Sequence, residues 1–148
     1  MSLPSLTLDD LIQEFDDLGD WEARCEYLID LGKELPKLPD AEKIEPNRVH
    51  GCQSNVWLVA RTHPDADGKP VVDFIANSDA MIVSGLIAIL EILYNGKRAD
   101  EILAIDIMAV FKRLELDRHL SPQRRNGLFG MVKRVREIAV TATAAAQA

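Results

Sequence analysis

Residues 56–75, Val-Trp-Leu-Val-Ala-Arg-Thr-His-Pro-Asp-Ala-Asp-Gly-Lys-Pro-Val-Val-Asp-Phe-Ile, carry the clearest strand pattern of the chain. β-Branched and aromatic residues are concentrated at positions 56–59 and 71–75, as in strands packed on a core. Positions 63–70 are rich in turn formers, and Asp67-Gly68 is the expected point of reversal. The stretch predicts an antiparallel β-hairpin. We also expect a short third strand around Val49, before a turn at Gly51.

Two helices are predicted before the hairpin. Thr7 is placed to cap the first, with Asp10 at its third position, and apolar residues then recur at helical spacing. Gly19-Asp20 ends this helix, and Asp20 can cap a second one. One face of the second helix collects Trp21, Cys25, Leu28 and Ile29. The pair predicts an antiparallel helical hairpin, followed by an irregular segment from about residue 37 to 48.

Further helices are predicted after the β-hairpin. Ser78 can cap a densely apolar helix with Asp79 in its first turn, and Asn95-Gly96 ends it. This helix is expected to be the most buried element. Shorter helical pieces follow around residues 101–104 and 108–114.

The last predicted helix begins at Ser121-Pro122, a cap followed by a proline at the first helical position. Gly127 and Gly130 lie inside it at a cost in helix propensity, which suggests close packing against a neighbour or against a substrate loop. The tail from about Thr141 is expected to fray. No linker divides the sequence, so a single domain over residues 1–148 is predicted.

The charge composition narrows the class of protein. The 148 residues carry 17 Lys and Arg against 24 Asp and Glu, a formal net charge of −7. This acidity argues against a nucleic-acid binder. Residues 1–45 hold 13 acidic and 4 basic side chains, whereas residues 46–148 hold 11 and 13. Either these charges lie on solvated helix faces, or the dipolar molecule is oriented as it meets a charged protein partner.

Targeting and membrane segments are not predicted. The first ten residues have no basic residues leading an apolar stretch, and the apolar run at 80–90 is far shorter than the ~20 residues of a membrane span. Two cysteines cannot form a disulfide framework. We therefore expect a cytoplasmic protein of a reducing compartment, with neither nucleic acid nor membrane as a partner.

Residues 48–57, Arg-Val-His-Gly-Cys-Gln-Ser-Asn-Val-Trp, hold the main candidate for chemistry. Cys52 lies on a predicted loop after a glycine, a poor place for core packing, so a reactive thiol is favoured. Cys25, on an inward helix face, is interpreted as structural. His50 is interpreted either as a thiol-activating residue or as a half-exposed strand residue. Because no helix begins after Cys52 to lower its pKa, the thiol is expected to react in a prepared setting.

The rest of the sequence offers little chemistry. The cysteines lack metal-site spacing, and there is neither a glycine-rich phosphate loop nor an HExxH motif. His119 is interpreted as a hydrogen-bonding residue at a helix terminus. Arg124 and Arg125 lie in the first turn of the last helix, where the dipole disfavours cations, and this conflict suggests an anionic partner, internal or external.

Several motifs follow one another in a defined order: Asp20-Trp-Glu22, Tyr27-Leu-Ile-Asp-Leu-Gly32, Leu35-Pro36, Gly51-Cys-Gln-Ser54, Val56-Trp57, Ser78-Asp-Ala80, Ile82-Val83, Gly85-Leu-Ile-Ala88, His119-Leu-Ser-Pro122, Arg124, Gly127-Leu128 and Met131. In this order and spacing they resemble the SufE family (SufE and CsdE), the sulfur-acceptor partners of cysteine desulfurases in iron–sulfur cluster assembly. The resemblance covers nearly the whole chain.

The resemblance implies that Cys52 accepts persulfide sulfur from a pyridoxal-phosphate cysteine desulfurase of the SufS or CsdA type. Cys52 would pass that sulfur to an iron–sulfur scaffold complex, and the chain would stimulate the desulfurase. The pyridoxal phosphate belongs to the partner, so no cofactor or metal is expected on this chain. It would be an accessory sulfur-transfer protein rather than a stand-alone enzyme, and a homodimer is allowed.

The resemblance also carries implications for the site and the fold. The implied loop and supporting residues are His50, whose role stays open because its position varies in the motif, together with Gly51, Gln53, Ser54, Asp79, His119 and Arg124. The implied fold is the α+β fold shared with the scaffold protein IscU, a small antiparallel three-stranded sheet with helices packed on one face. Resting Cys52 is expected to be shielded by its loop.

Two alternatives remain. One is an iron–sulfur scaffold or metal-binding module related to IscU, against which two well-separated cysteines speak, since soft-metal sites favour clustered thiolates. The other is a stand-alone thiol enzyme such as a peroxidase.

Overall fold

A β-hairpin lies at the centre of the computed structural model, which describes residues 6–51 and 54–147. Strands β1 (Val56–Pro64) and β2 (Pro70–Ser78) pair antiparallel, with Val56 opposite Ser78 and Pro64 opposite Pro70. The turn is closed by the Gly68 N–H, which donates to the Asp65 carbonyl at 3.0 Å. The hairpin predicted from the sequence, with its reversal at Asp67-Gly68, is confirmed.

The third strand is not where the sequence predicted it. Strand β3 (Lys97–Arg98) pairs antiparallel with β2 and gives the sheet the order β1-β2-β3. Gly96, at a φ of 73°, donates its N–H to the Val72 carbonyl at 2.8 Å and directs the chain back along β2. Around Val49 the structure has an isolated bridge instead, because the chain turns away at Gly51, where φ is 95°.

Helices α1 (Leu8–Leu18) and α2 (Trp21–Lys33) precede the sheet and begin at the predicted caps. The Thr7 hydroxyl accepts from the Asp10 N–H at 3.1 Å, and the Asp10 carboxylate accepts from the Thr7 N–H at 3.0 Å. The Asp20 carboxylate accepts from the Ala23 N–H at 2.9 Å.

The remaining helices follow β2: α3 (Met81–Tyr94), α4 (Ala99–Ala104), α5 (Ile107–Arg113), α6 (Leu116–His119) and α7 (Pro122–Gln147). Helix α7 begins at the predicted proline, but it does not fray at Thr141. Its alanine-rich end has high helix propensity, and Ala142 is buried, so the helix continues to Gln147.

The core lies between the sheet and α3. Val56, Leu58, Val72, Phe74 and Ala76 alternate onto one face of the hairpin and are buried there. All residues of α3 from 85 to 94 are buried, as predicted for the most apolar helix. Helices α3 and α7 cover this face of the sheet, while the irregular segment after α2 lies over the other face through the Leu38 N–H, which donates to the Asn77 side chain at 2.6 Å.

Helices α2 and α3 approach each other through two glycines. A Cβ atom added to Gly85 would lie 2.6 Å from the Leu28 carbonyl oxygen, and one added to Gly32 would lie 2.8 Å from the Gly85 nitrogen. Both contacts are with backbone atoms, so neither neighbour can move aside cheaply. The two glycines therefore fix the spacing of α2 and α3.

The buried face of α2 differs from the predicted one. Leu28 is buried as expected, but Cys25 is only half-buried, and the charged Arg24 is 7% exposed. The Arg24 guanidinium donates to the Phe15 carbonyl at 2.8 Å and to the Glu115 carboxylate at 3.2 Å. The bond from Arg24 lowers the pKa of Glu115. A guanidinium paired in this way can replace an apolar side chain at a helix contact.

Candidate functional site

The loop that contains the candidate thiol is flanked by two stems, residues 48–50 before it and residues 54–55 after it. Val49 is buried, and its N–H donates to the Val56 carbonyl at 2.9 Å, next to the bridge between Arg48 and Trp57. Gly51 follows with a φ of 95°. Cys52 and Gln53, named as site residues from the sequence, lie outside the described residues. Ser54 is the first described residue after them.

Helix α7 holds the first stem of the loop. A Cβ atom added to Gly130 would lie 3.0 Å from the His50 carbonyl oxygen, so the glycine allows the helix to approach the stem. Arg134 donates to the Pro46 carbonyl at 3.0 Å and to the Arg48 carbonyl at 3.4 Å. For Gly130, the close packing expected from a glycine inside this helix is confirmed, and the neighbour is the loop stem.

Asp79 holds the second stem. Its carboxylate accepts from the Asn55 backbone N–H at 3.1 Å and from the Asn55 side-chain amide at 2.9 Å, while its own N–H faces the Asn55 carbonyl at 3.3 Å. The prediction that Asp79 belongs to the first turn of a helix is wrong. Helix α3 begins at Met81, because Ser78 accepts from the Ala80 N–H and keeps the preceding residues in a turn.

A cavity of about 370 Å³, the loop cavity, adjoins the second stem. Ser54, two residues after Cys52 in the sequence, lines it. Two helices supply the other walls: Ala80, Ile82 and Val83 lie at the start of α3, and Ser121, Gln123, Arg124, Gly127, Leu128 and Met131 lie at the start of α7. The structure therefore brings together two of the predicted site residues, Ser54 and Arg124.

Arg124 supplies positive charge at this cavity. It is exposed in the first turn of α7, where its backbone N–H is capped by the Ser121 hydroxyl at 3.3 Å. In the described part of the chain no carboxylate lies within 4.0 Å of its guanidinium. Burial raises the pKa of the Cys25 thiol, and the positive charge of Arg124 opposes this with a smaller lowering effect. Arg124 is thus available to an anion in the cavity.

The two histidines named from the sequence lie apart from the cavity walls. His50 is exposed, and its Nε2 atom is 3.3 Å from the Glu45 carboxylate. The His119 ring stacks on Trp21, with centroids 4.7 Å apart and planes 8° apart, and its Nε2 atom is 4.0 Å from the Glu115 carboxylate. The stack ties α2 to the segment before α7, a role for Trp21 and His119 that sequence spacing did not indicate.

Other kinds of site find little support in the described residues. Within residues 6–51 and 54–147, no group of three or more His, Cys, Asp or Glu side chains is arranged to hold a metal ion. None of the helices over these ranges is long and apolar enough to cross a membrane.

Replacing Asp79 with alanine is expected to raise the rate at which iodoacetamide alkylates Cys52 about tenfold. Loss of two hydrogen bonds to a carboxylate should free the second stem and increase the open fraction of the loop. The measurement uses a Cys25→Ser background, so that one thiol is followed. Asp100→Ala is the matched control, because it removes an exposed carboxylate elsewhere on the chain and leaves Asn55, Ser78 and Asp79 unchanged. Equal alkylation rates in the Asp79→Ala and control proteins would contradict the proposal that the Asp79–Asn55 hydrogen bonds hold the second stem.

Comparison with known proteins gives consistent similarities. The family profile described as SufE, Fe-S metabolism associated domain, matches residues 9–139. The chain is 47% identical to an uncharacterized SufE-like protein of Rhizobium etli over 139 residues, which cover 94% of this chain and 93% of that protein. It is 45% identical to an uncharacterized SufE-like protein of Rhizobium meliloti over 130 residues, covering 88% and 92%.

A solved structure supports the fold. The solution structure of a hypothetical protein from Thermus thermophilus superimposes with a TM-score of 0.69 at 22% sequence identity. The match covers 96% of this chain and 98% of that one. At this identity the likeness concerns the α+β fold, with its three-stranded antiparallel sheet and helices, and the predicted fold class is confirmed.

Proposed function

The chain belongs to the SufE family, with a role in Fe–S metabolism, and on this basis we propose that Cys52 is the acceptor of persulfide sulfur from a cysteine desulfurase. The desulfurase carries its own pyridoxal phosphate, and this chain binds no cofactor for the transfer. The chain stimulates that enzyme by removing its sulfur, and it delivers the sulfur to an iron–sulfur scaffold complex. It is an accessory protein of the pathway and works in the cytoplasm.

The transfer is a thiol–disulfide exchange. The Cys52 thiolate attacks the outer sulfur of the donor persulfide, the donor S–S bond breaks, and a new S–S bond forms on Cys52. The donor cysteine leaves as a thiolate. No electrons are gained or lost overall, because one S–S bond replaces another. The rate depends on the thiolate fraction of Cys52, on its access to the donor and on the leaving thiolate.

The arrangement around the cavity supports this proposal. The second stem ends at a cavity lined by Ser54 and by Arg124, whose guanidinium has no carboxylate partner in the described part of the chain. A cation near a cysteine lowers the thiol pKa and stabilises an anionic persulfide. The position of a cationic cavity beside the loop is the observation that carries the proposal.

Mapping of the transferred sulfur tests the proposal. The full chain is incubated with a SufS-type desulfurase and L-cysteine, trapped with an alkylating agent, and digested for mass spectrometry. We expect the additional sulfur on the peptide that contains Cys52. Sulfur on neither cysteine, or on Cys25 alone, would contradict the proposal, as would stoichiometric iron or zinc in freshly purified protein.

A further inference from the structure

A second cavity, of about 310 Å³, lies on a different part of the molecule. It is formed where the start of α1 meets the end of α3 and the segment before α5. Its walls are largely apolar and include Leu8, Ile92 and Ile105. Two ionisable side chains, Glu91 and Lys97, also line it. None of these residues belongs to the loop cavity.

Glu91 is the unusual group in this cavity. It is 5% exposed and lies on α3 among apolar neighbours. Its Oε2 atom is buried and has no hydrogen-bond partner. A buried polar atom without a partner carries a desolvation cost, and such atoms are rare in folded proteins. Glu91 is one of the residues that line the cavity, and its carboxyl group has unused capacity to accept a hydrogen bond.

The electrostatics of Glu91 indicate which ligand would use that capacity. Burial raises the pKa of Glu91 to about 7, and no cation among the described residues offsets the buried charge. Lys97 is half-buried, and no carboxylate lies within 4.0 Å of its ammonium among the described residues. A ligand that brings its own cation would supply the missing hydrogen bond and neutralise the carboxylate.

We propose that this cavity binds a small molecule with a primary ammonium group on an apolar body, with Glu91 as the counter-charge. The ammonium donates to the Glu91 carboxylate, and the apolar body lies against Leu8, Ile92 and Ile105. Two classes of compound share this chemistry, a simple alkylamine and an apolar α-amino acid. The amino acid adds a carboxylate, which Lys97 is placed to receive. The inference does not depend on the transfer of sulfur by Cys52.

The size of the cavity agrees with this class of ligand. Small-molecule sites in proteins begin at roughly 300 Å³ and are mostly apolar with a few polar groups that orient the ligand. Helix α3 supplies Glu91 from the most buried element of the fold. A site on such an element is rigid before the ligand arrives, which lowers the ordering cost of binding.

Titration of the full chain with 3-methylbutylamine and with L-leucine tests the proposal. The readout is the movement of backbone amide resonances at pH 8, where Glu91 is largely ionised. We expect saturable shifts at residues 91–97 with at least one probe. Glu91→Gln keeps the shape and removes the charge, and it should weaken binding at least about tenfold. Lys97→Met should weaken L-leucine and leave the alkylamine unaffected.

The two probes distinguish the two classes of ligand. Binding of the alkylamine alone assigns the site to amines, and binding of L-leucine that depends on Lys97 assigns it to amino acids. An absence of saturable shifts up to about 10 mM for both probes would overturn the proposal. Equal affinities in wild-type protein and Glu91→Gln would also overturn it, provided that the variant gives a folded amide spectrum. None of these outcomes changes the expectation for Cys52.

Discussion

Cys52→Ser is expected to abolish both the acceptance of sulfur and the stimulation of the desulfurase, whereas Cys25→Ser should retain both. A serine hydroxyl is not ionised near neutral pH and does not attack a persulfide, so the transfer has no nucleophile. Cys25 is half-buried on α2, and burial raises the pKa of its thiol. It is therefore a weaker nucleophile, and its replacement should cost about 1 kcal/mol of stability or less.

The two variants form a matched pair. Each removes one sulfur atom from the same chain, so a general effect of losing a thiol would appear in both. Alanine production by the desulfurase and labelled sulfur on the acceptor are measured together, with unfolding curves as the check on folding. Retained stimulation by Cys52→Ser would show that activation of the desulfurase does not require transfer to this thiol. Loss of sulfur transfer in Cys25→Ser would indicate that Cys25 takes part in accepting the sulfur.

The stability of the protein is expected to fall as the pH rises from about 5 to 8 because of Glu91. Its pKa is raised from 4.5 to about 7 in the folded state, so in this window the folded chain binds more protons than the unfolded chain. The contribution is fully favourable below pH 4.5 and is lost as the pH rises through 7. The shift corresponds to roughly 3 kcal/mol of unfolding free energy across the window.

Glu91→Gln isolates this contribution. The glutamine side chain has nearly the same size and does not titrate. The unfolding free energy of the Glu91→Gln protein should therefore lack this part of the pH dependence. Urea unfolding of both proteins at several pH values gives the difference directly, since the other titrating groups are common to both. The carboxyls of Asp65 and Glu115, whose pKa values are lowered by hydrogen bonds from the Lys69 backbone and the Arg24 side chain respectively, are present in both proteins. A difference that stays constant from about pH 5 to 8 would contradict the prediction.

Local patterns in the sequence predicted the elements that depend on neighbouring residues. The hairpin at 56–75, the caps at Thr7 and Asp20 and the proline start of α7 follow from strand propensity, side-chain acceptors and a fixed φ. These features are set within a few residues of the chain. The class of fold was implied by the resemblance that the order of the family motifs carries.

Features that depend on distant contacts were missed. Arg24 is buried because Phe15 and Glu115 lie beside it, and helical periodicity assigned that face to Cys25. Asp79 lies before α3 and is hydrogen-bonded to three groups of Asn55, which lies at the other end of the hairpin in sequence. Such partners lie 9 to 91 positions away in the sequence, and no local pattern reports them.

The sequence analysis named the candidate site residues from their motifs. Of these residues, Ser54 and Arg124 line one cavity, while His50 and His119 have other neighbours. The role of α7 in holding the loop stem through Arg134 had no counterpart in the sequence analysis, because a basic residue on a helix is usually solvated. The prediction for Cys52 still rests on its motif.

Helix α2 contacts the elements behind the loop cavity, although none of its residues lines that cavity. It holds the α3 wall through the contact of Gly32 and Gly85, and it holds the approach to the α7 wall through the stack of Trp21 on His119. Substitutions at Gly32 or Trp21 are therefore expected to shift elements that form the loop cavity, although neither residue lines it.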